Sequence, residues 1–530
     1  MFSFNLLTEP WILVNDQNGN VKEMGIIEVL ENAHKIVSLA DATILIRFSI
    51  YRFLIALIMD IFKIKELEQV EELIMEGNFN KDAIDEYINE VGEGYFDLFH
   101  PNTPFLQSPK NEDLEIKPVA EVLQHVPSGS FSTHFNHVNL EKEAYSPAVC
   151  AGGLLTIAPF MTAGGAGYSP SINGNPPWYV LVLGKNLFET IVLNCCGMPI
   201  PGLTGDGLPA WRTTKRIIPK AELKCSSLLE GLTWRPRWVR LIPEEGGICT
   251  YTGKYSPILV RKINFSYGFK AVGGWTDPQV SYVYTNKGPS PLRPKQDREL
   301  WRDLGPLMLL RRADYESDKG KIQFNRPLVV EQLMELKKTY VLPASFPEQV
   351  EVYGVRTDGK MKIFEWQYEK LTLPPGLSSN DYAGRMVQEA LELAERVSYF
   401  LGQALRKLYP REGKGNKKAL GSRVQLAEHN FWSMLRGRFE EEYLQPLALQ
   451  SKDEQMEVEK IKEDWKRILI EVGERSFETA IRPFDSKADF LRQQVIARDF
   501  FRQKLWFTLY GGKKQEEKGG LENGGSSKSN

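Results

Sequence analysis

With 530 residues, the chain is longer than one hydrophobic core usually supports, so we expect two or three domains. The formal net charge of −2 excludes a polycation that binds nucleic acid through its overall charge, so any such contact must come from local patches or partner subunits. The five cysteines form no CxxC pair, and the N-terminus has no signal-peptide pattern. We therefore expect reduced thiols, no cysteine-rich zinc site and a cytoplasmic location.

Residues 1–375 alternate between strand-like and helix-like patterns. The most apolar stretch, residues 44–62, is interrupted by Arg47, Arg52 and Asp60. It falls short of the roughly 20 apolar residues that a membrane span requires, and we predict a buried helix and no membrane contact. Local patterns predict a hairpin over residues 13–21, helices over 41–62 and 66–76, and strands over 178–184 and 238–242.

A stretch rich in Pro, Gly and Ser, residues 373–380, indicates a domain boundary. Beyond it, apolar residues recur at steps of three and four, as in Met386, Ala390 and Val397. Four amphipathic helices with modest loops predict a C-terminal four-helix bundle. The predicted fold is α+β: a large, irregular, mixed α/β N-terminal domain over residues 1–375, the bundle over 376–511 and a disordered tail over 512–530.

The sequence has no Walker-type GK[ST] loop, no HExxH and no GxSxG motif. Among six histidines only His134 and His137 lie close together, and no third metal ligand accompanies them. Their neighbours, Gly129 and Ser130 among them, favour a polar loop over a metal site. A metal-dependent nuclease is therefore the least favoured of the functions that we consider.

A basic stretch with interleaved tryptophans spans residues 212–240. It holds eight Lys or Arg against two acids, with Trp234 and Trp238 among them and Trp211 directly before the stretch. Cations beside aromatic rings can follow phosphates and stack bases, which is typical of a general single-stranded nucleic-acid-binding scaffold. A strand pair with buried tryptophans and solvated arginines explains the stretch equally well.

A second basic cluster lies between the first two predicted bundle helices, where we expect a Gly-rich, mobile loop. Such a loop suits sequence-independent contact with phosphates, and a merely solubilising loop is the alternative. One acid, Glu412, lies among its cations. We call the following residues the basic cluster: Arg406, Lys407, Arg411, Lys414, Lys417, Lys418 and Arg423.

Residues 163–167, the glycine segment, contain the run Gly164-Gly165-Ala166-Gly167. Glycine lets a backbone approach a phosphate or a groove floor closely, because no side chain intervenes. A Gly run is by itself also typical of a flexible loop.

Several stretches together resemble one known family. They include residues 4–14 and 95–107, with further similarity at residues 207–211, 232–237 and 428–432. In order and spacing they resemble CasA, the large subunit of the type I-E CRISPR surveillance complex Cascade, over nearly the whole chain.

The resemblance implies a nonenzymatic subunit. Some members of the family carry a cysteine cluster near the position of Cys249, but this sequence keeps only that one cysteine, so we predict no metal and no cofactor. Such a subunit recognises the protospacer-adjacent motif (PAM) in double-stranded DNA, promotes duplex opening and R-loop formation, and holds the non-target strand. It also helps to recruit the effector helicase–nuclease. The implied partners are the other Cascade subunits, the CRISPR guide RNA, the double-stranded target DNA and its displaced single strand.

The resemblance also assigns residues. In the family a glycine loop enters the minor groove of the PAM, where readout is degenerate. A lysine that contacts this duplex precedes a Trp-Asp-Pro-like segment, here residues 275–278, and Lys262 and Lys270 flank the matching position. The implied PAM contacts are Ala163, Gly164, Gly165, Ala166, Gly167, Lys262 and Lys270.

Three further roles follow from the resemblance. A hairpin wedge that separates the first base pairs corresponds to Thr357, Asp358, Gly359 and Lys360, without the family's glutamine. A loop that contacts the guide-RNA end corresponds to residues 129–139, with Phe135 and Asn136 as its contacts. The basic cluster would hold the non-target strand.

Overall fold

The chain divides into two compact units, Met1–Ser378 and Ser379–Asn530. A computed structural model describes residues 2–108, 115–126, 140–164, 167–203, 205–213, 220–285, 288–296, 298–309, 313–317, 320–358, 363–374, 377, 381–408, 414–449, 455–482 and 488–511. The predicted tail, residues 512–530, lies outside these ranges. Across the described ranges, no helix has the length and apolar character needed to cross a membrane.

The strands of the first unit form several small sheets. Where the structure is described, their orders are β2-β1-β3, β4-β8-β7, β6-β9, β11-β10-β13-β12 and β15-β14-β5. In chain order the strands are β1 Ile12–Asp16, β2 Val21–Met24, β3 Ile36–Leu39, β4 Ile116–Pro118, β5 Tyr179–Val182, β6 Glu222–Leu223, β7 Arg237–Ile248, β8 Tyr255–Tyr267, β9 Lys270–Ala271, β10 Tyr282–Thr285, β11 Gly288–Pro291, β12 Ala313–Ser317, β13 Gly320–Asn325, β14 Glu348–Thr357 and β15 Ile363–Leu373.

The predicted hairpin over residues 13–21 is confirmed as β1 and β2, which pair antiparallel from Ile12↔Met24 to Asn15↔Val21. Gly19 in its turn has a φ of 79°, a conformation that glycine adopts without steric cost. The helices of this unit are α1 Ile26–Glu31, α2 Ile44–Ile61, α3 Leu67–Glu76, α4 Lys81–Val91, α5 Pro147–Phe160, α6 Leu187–Asn194, α7 Leu228–Leu232 and α8 Leu328–Lys338.

Helix α2 lies in the core of the first unit, as its apolar sequence predicts, and nearly all of its residues are buried. Its three charged side chains each reach a polar or aromatic partner. Arg52 pairs with Asp277 at 2.6 Å, and Asp60 accepts a 2.6 Å hydrogen bond from Tyr87. Arg47 lies 4.6 Å from the ring centroid of Tyr368. A charge can remain in a buried helix only with such partners, because unpaired burial is costly.

The second unit is helical. Its helices are α9 Asp381–Arg406, α10 Lys414–Phe439, α11 Gln445–Leu449, α12 Gln455–Ile481 and α13 Ala488–Tyr510, with a π-helical turn at Glu440–Leu444. Helix α9 contacts α10, α12 and α13, and its predicted stripe is buried at Met386, Ala390 and Val397. The indole N–H of Trp465 donates to the Ala390 carbonyl at 3.0 Å, which ties α12 to α9. The mixed α/β class with C-terminal helices is confirmed, whereas the four-helix bundle geometry stays a prediction.

Candidate nucleic-acid interface

The glycine segment follows helix α5 after two residues, Met161 and Thr162. The backbone N–H of Ser171 donates to the Met161 carbonyl at 2.8 Å, so the two flanks of the segment lie side by side. Of the five residues predicted to contact the PAM here, Ala163 and Gly164 are half-buried and Gly167 is exposed. Gly165 and Ala166 lie outside the described residues.

Arg237, the first residue of β7, holds both ends of this segment. Its guanidinium donates to the Thr162 carbonyl at 2.8 Å and to the Ser169 carbonyl. The side chain is 4% exposed, and burial lowers its pKa to about 10, so it remains charged at neutral pH. Charge-assisted hydrogen bonds to two carbonyls fix the separation of the two ends and therefore constrain the backbone between them.

Two stacked tyrosines flank the segment. The rings of Tyr168 and Tyr267 lie 4.0 Å apart between centroids, with an angle of 26° between their planes. Lys220 Nζ lies 4.3 Å from the Tyr267 centroid, and Lys117 Nζ lies 5.5 Å from the Tyr168 centroid. Each cation is within the range of a cation–π interaction. We call the glycine frame the set Lys117, Tyr168, Lys220, Arg237 and Tyr267.

The glycine frame leaves little room for a side chain at Gly167. This residue has a φ of 101°. A Cβ added to it would lie 3.0 Å from Lys220 Cε and 3.2 Å from Tyr267 Cε1. The backbone conformation thus favours glycine at this position, and any larger side chain would also have to displace the ends of Lys220 and Tyr267.

Lys220 has an uncommon backbone conformation of its own. Its φ is 64°, and its N–H donates to the Gly268 carbonyl at 3.1 Å. That bond connects it to the end of β8, next to Tyr267. Three cations therefore lie around an exposed glycine backbone, an arrangement that attracts a polyanion and leaves the backbone accessible.

A buried ion pair supports the chain after the glycine segment. Asp277 is 0% exposed and accepts hydrogen bonds from Arg52 and from the Asn173 amide, the latter at 2.8 Å. Asn173 also donates to the Tyr179 hydroxyl at 3.1 Å. The Trp-Asp-Pro-like segment thus acts structurally here, because its aspartate joins helix α2 to Asn173 in the chain that follows the glycine segment.

The two lysines assigned to the PAM duplex lie apart from these contacts. Lys262 is exposed on β8, five residues before Tyr267, and an odd separation puts their side chains on opposite faces of the strand. Lys270 is exposed, and its ammonium pairs with Glu222 at 2.6 Å. The lysines that lie beside the glycine segment are instead Lys117 and Lys220. Contacts of Lys262 and Lys270 with DNA therefore stay predictions.

The predicted hairpin around residue 358 is confirmed by the pairing of its strands. Strands β14 and β15 are antiparallel, and the register shifts between Arg356 and Thr357, where Thr357 pairs with Ile363. Thr357 is half-buried and Asp358 is exposed. Gly359 and Lys360 lie outside the described residues, so the chemistry of the wedge stays a prediction.

The basic cluster is only partly a loop, so the expectation of a loop over its whole length is wrong. Helix α10 begins at Lys414 and includes Lys417, Lys418 and Arg423. The run Lys417-Lys418-Ala419-Leu420 is rich in helix-forming residues, which outweigh the neighbouring glycines. Arg406 ends α9 and is exposed, and Lys407 Nζ lies 4.3 Å from the Phe500 ring centroid. Arg411 lies outside the described residues.

The tryptophans of residues 211–240 do not form a stacking surface. Trp211, Trp234 and Trp238 are between 2% and 5% exposed. Trp234 and Trp238 pack in one apolar cluster with Phe269. The alternative of a base-stacking surface built from these tryptophans is therefore wrong, because their rings belong to the core.

Phe135 and Asn136, which the resemblance predicts as guide-RNA contacts, lie outside the described residues, as do His134 and His137. Among the residues that the structure describes, no group of three or more His, Cys, Asp and Glu side chains could hold a metal ion.

Sequence reasoning did not select the glycine frame as a site. Lys220 and Arg237 belong to the basic stretch, and Tyr168 follows the glycine segment directly. Lys117 and Tyr267 reach the frame only because β4 and β7 both pair with β8. No local pattern in the sequence signals that pairing.

The chain is similar to known CRISPR-associated proteins. The model of the family CRISPR-associated protein Cse1 matches residues 5–475. The curated CasA/Cse1 of Thermus thermophilus is 27% identical over 467 residues, which are 82% of this chain and 86% of that protein.

Solved structures share the fold. The CasA (Cse1) structure from Thermus thermophilus has a TM-score of 0.72 at 21% identity and covers 95% of this chain and 99% of that chain. Cse1 from Thermobifida fusca has a TM-score of 0.73 at 21% identity, and the match covers 96% of this chain and 98% of that chain. A chain of a CRISPR RNA-guided surveillance complex has a TM-score of 0.74 at 16% identity, covering 95% and 99%.

These structural likenesses define the fold class, a mixed α/β unit followed by helices as in solved Cse1 structures. The family match extends over most of the sequence. The chain belongs to the CRISPR-associated protein Cse1 family, also called CasA.

Proposed function

We propose that this chain is the nonenzymatic large subunit of a type I-E CRISPR Cascade complex and recognises the PAM in double-stranded DNA. Family membership supports the first part, and a structural relative is named as part of a CRISPR RNA-guided surveillance complex. The second part depends on one observation, the exposed glycine backbone that Arg237 holds beside two stacked tyrosines, each with a lysine within cation–π range. In such complexes the protein reads a short motif and leaves the remaining sequence to base pairing.

The backbone around Gly167 is the proposed reading element. A backbone inserted in the minor groove distinguishes A·T from G·C pairs poorly, so a permissive motif is expected. Lys117 and Lys220 would neutralise phosphates on either side of the groove. Arg237 is buried, so its proposed role is to position the backbone that enters the groove.

Duplex opening and strand holding complete the proposal. The β14–β15 hairpin would separate the first base pairs, so that the guide RNA can pair with the target strand. Exposed cations of the second unit, Arg406 and Arg423 among them, would hold the displaced strand. The same subunit would help to recruit the effector helicase–nuclease, as the family relationship implies.

The test is duplex binding by guide-loaded complex assembled with and without this chain. The target carries randomised bases beside the guide-matched sequence, and the bound fraction is sequenced. We expect the chain to confer binding and to enrich a short flanking motif. Equal binding without the chain would contradict the proposal, as would DNA cleavage by the chain alone that stops on chelation.

A further inference from the structure

Three aromatic side chains lie exposed along strand β15. Phe364, Trp366 and Tyr368 are 52%, 49% and 39% exposed. Trp366 and Tyr368 alternate along the strand, so their rings project from the same face, about 6.5 Å apart. Phe364 precedes them at the register shift between the pairs Arg356↔Glu365 and Thr357↔Ile363. We call these three residues the aromatic stripe. Rings of this size are usually buried, and a contiguous exposed set marks a binding surface.

The rings of the aromatic stripe are held by contacts with the protein. Arg47 lies 4.6 Å from the Tyr368 centroid, and Arg356 lies 4.7 Å from the Phe364 centroid. The Tyr368 hydroxyl donates to Glu351 at 2.8 Å. The edge of the His125 ring meets Trp366, with centroids 6.5 Å apart and an angle of 79° between the planes. These contacts orient the rings in advance, which lowers the entropy that a ligand must overcome.

The charges around the stripe favour an anionic ligand. Lys370, which is exposed, continues the same face of β15. Glu365 and Glu369 alternate with the stripe and therefore project from the opposite face. Glu351 lies on the same face as the stripe, opposite Lys370 in the strand register. Arg47 and Lys370 outnumber this one acid, so the face presents its rings to a polyanion better than to an apolar protein surface.

The stripe also follows directly from the hairpin that we propose as the wedge. Phe364 is the second residue of β15, and its strand partner β14 ends at Thr357. Bases that lose their partners at this hairpin would emerge beside the stripe. A β-sheet face with two or three exposed rings is a known platform for stacking unpaired bases, one ring for each base.

We propose that the aromatic stripe is a stacking platform for two or three unpaired bases next to the PAM. This inference rests on the proposed function, since it names the ligand of the hairpin region. The bases can come from the target strand or from the displaced strand. Stacking on Trp366 and its neighbours would compensate for the base pairs that opening the duplex breaks.

The test compares targets with a short mismatched bubble beside the PAM, in which bubble nucleotides are either normal or abasic. An abasic nucleotide keeps the phosphate but has no ring to stack. The guide-loaded complex with the unaltered chain should bind the normal bubble more tightly than the abasic one. Placing abasic sites in one strand at a time identifies which strand supplies the bases.

The variant Trp366→Leu, alone and with Tyr368→Leu, keeps an apolar side chain but removes the ring. We expect each lost ring to reduce the preference for normal over abasic bubbles by about tenfold. Trp366→Phe should retain most of the preference. The control is Tyr340→Leu, which removes a tyrosine that is 87% exposed in the loop after α8. This variant should leave the preference for normal over abasic bubbles unchanged.

An unchanged preference in the leucine variants would overturn the inference. So would loss of the variant chain from the purified complex, since the stripe would then dock another subunit. Failure of the proposed function would give a different result. In that case the complex with the unaltered chain would bind closed duplexes equally well whatever their flanking bases.

Discussion

The glycine frame and the basic cluster both carry cations, but the two regions are built differently. In the glycine frame, a buried arginine fixes the backbone and two tyrosines stack beside it. In the basic cluster, Arg406 and Arg423 lie exposed on helices α9 and α10. Fixed geometry can select a shape, whereas exposed charge on long side chains attracts any phosphate. We therefore expect motif selection from the first region and sequence-independent binding from the second.

The largest expected effect is on stability. Asp277→Ala leaves the buried Arg52 without its carboxylate and should lower the free energy of unfolding of the first unit by about 3–5 kcal/mol. The matched change in the helical unit is Glu478→Ala, which removes the partly exposed partner of Arg498. It should cost no more than about 1 kcal/mol. Hydrogen exchange in denaturant, followed separately in the two units, measures the free energy lost in each variant. Equal losses would contradict the expectation that the buried pair stabilises its unit more than the exposed pair does.

Next in size is the effect of loosening the frame. Arg237→Lys keeps a cation but cannot reach two carbonyls with a planar fork, so the glycine segment loses one of its ties. We expect the affinity for closed, PAM-bearing duplex to fall about tenfold. The affinity for a target that is already open should not change. The control is Arg240→Lys, which alters a half-buried arginine on the same strand. Equal weakening by both variants would contradict this expectation, because Arg240 does not hold the ends of the glycine segment.

The smallest expected effect concerns the basic cluster. Charge reversal at Arg406, Lys407 and Arg423 should weaken retention of the displaced strand equally for all flanking sequences. Each lost phosphate contact should make the plot of log K against log salt less steep by about 0.7. Filter binding of preformed R-loops at several salt concentrations measures this slope. A change in motif preference would show that the cluster takes part in readout.

Local patterns predicted the elements that depend on neighbouring residues. The β1–β2 hairpin, the buried helix α2 and the C-terminal helices follow from turn chemistry and from apolar spacing. The beginning of α10 was missed because two glycines outweighed the helix-forming lysines in the prediction. The alternation of rings and charges along residues 364–369 was also visible in the sequence, although only the sheet order shows β15 to be an outer strand.

The candidate interface was harder to predict, because it depends on contacts between distant residues. Arg237 meets Thr162 across 75 positions of the chain. Tyr267 meets Tyr168 only through the register of the long β7–β8 pair. Basic residues interleaved with tryptophans suggested a surface at residues 212–240. Burial of the tryptophans shows that composition alone does not separate a core from an interface.

The central claim is that the fixed glycine backbone reads the PAM in closed duplex. It is tested most directly with the guide-loaded complex that carries Gly167→Val, bound to flank-randomised closed duplex and to the same target already opened. A β-branched side chain is strained at a φ of 101° and would contact Lys220 and Tyr267. The account predicts loss of motif enrichment on closed duplex by about tenfold or more, with binding to the open target retained. Unchanged enrichment on closed duplex would contradict it.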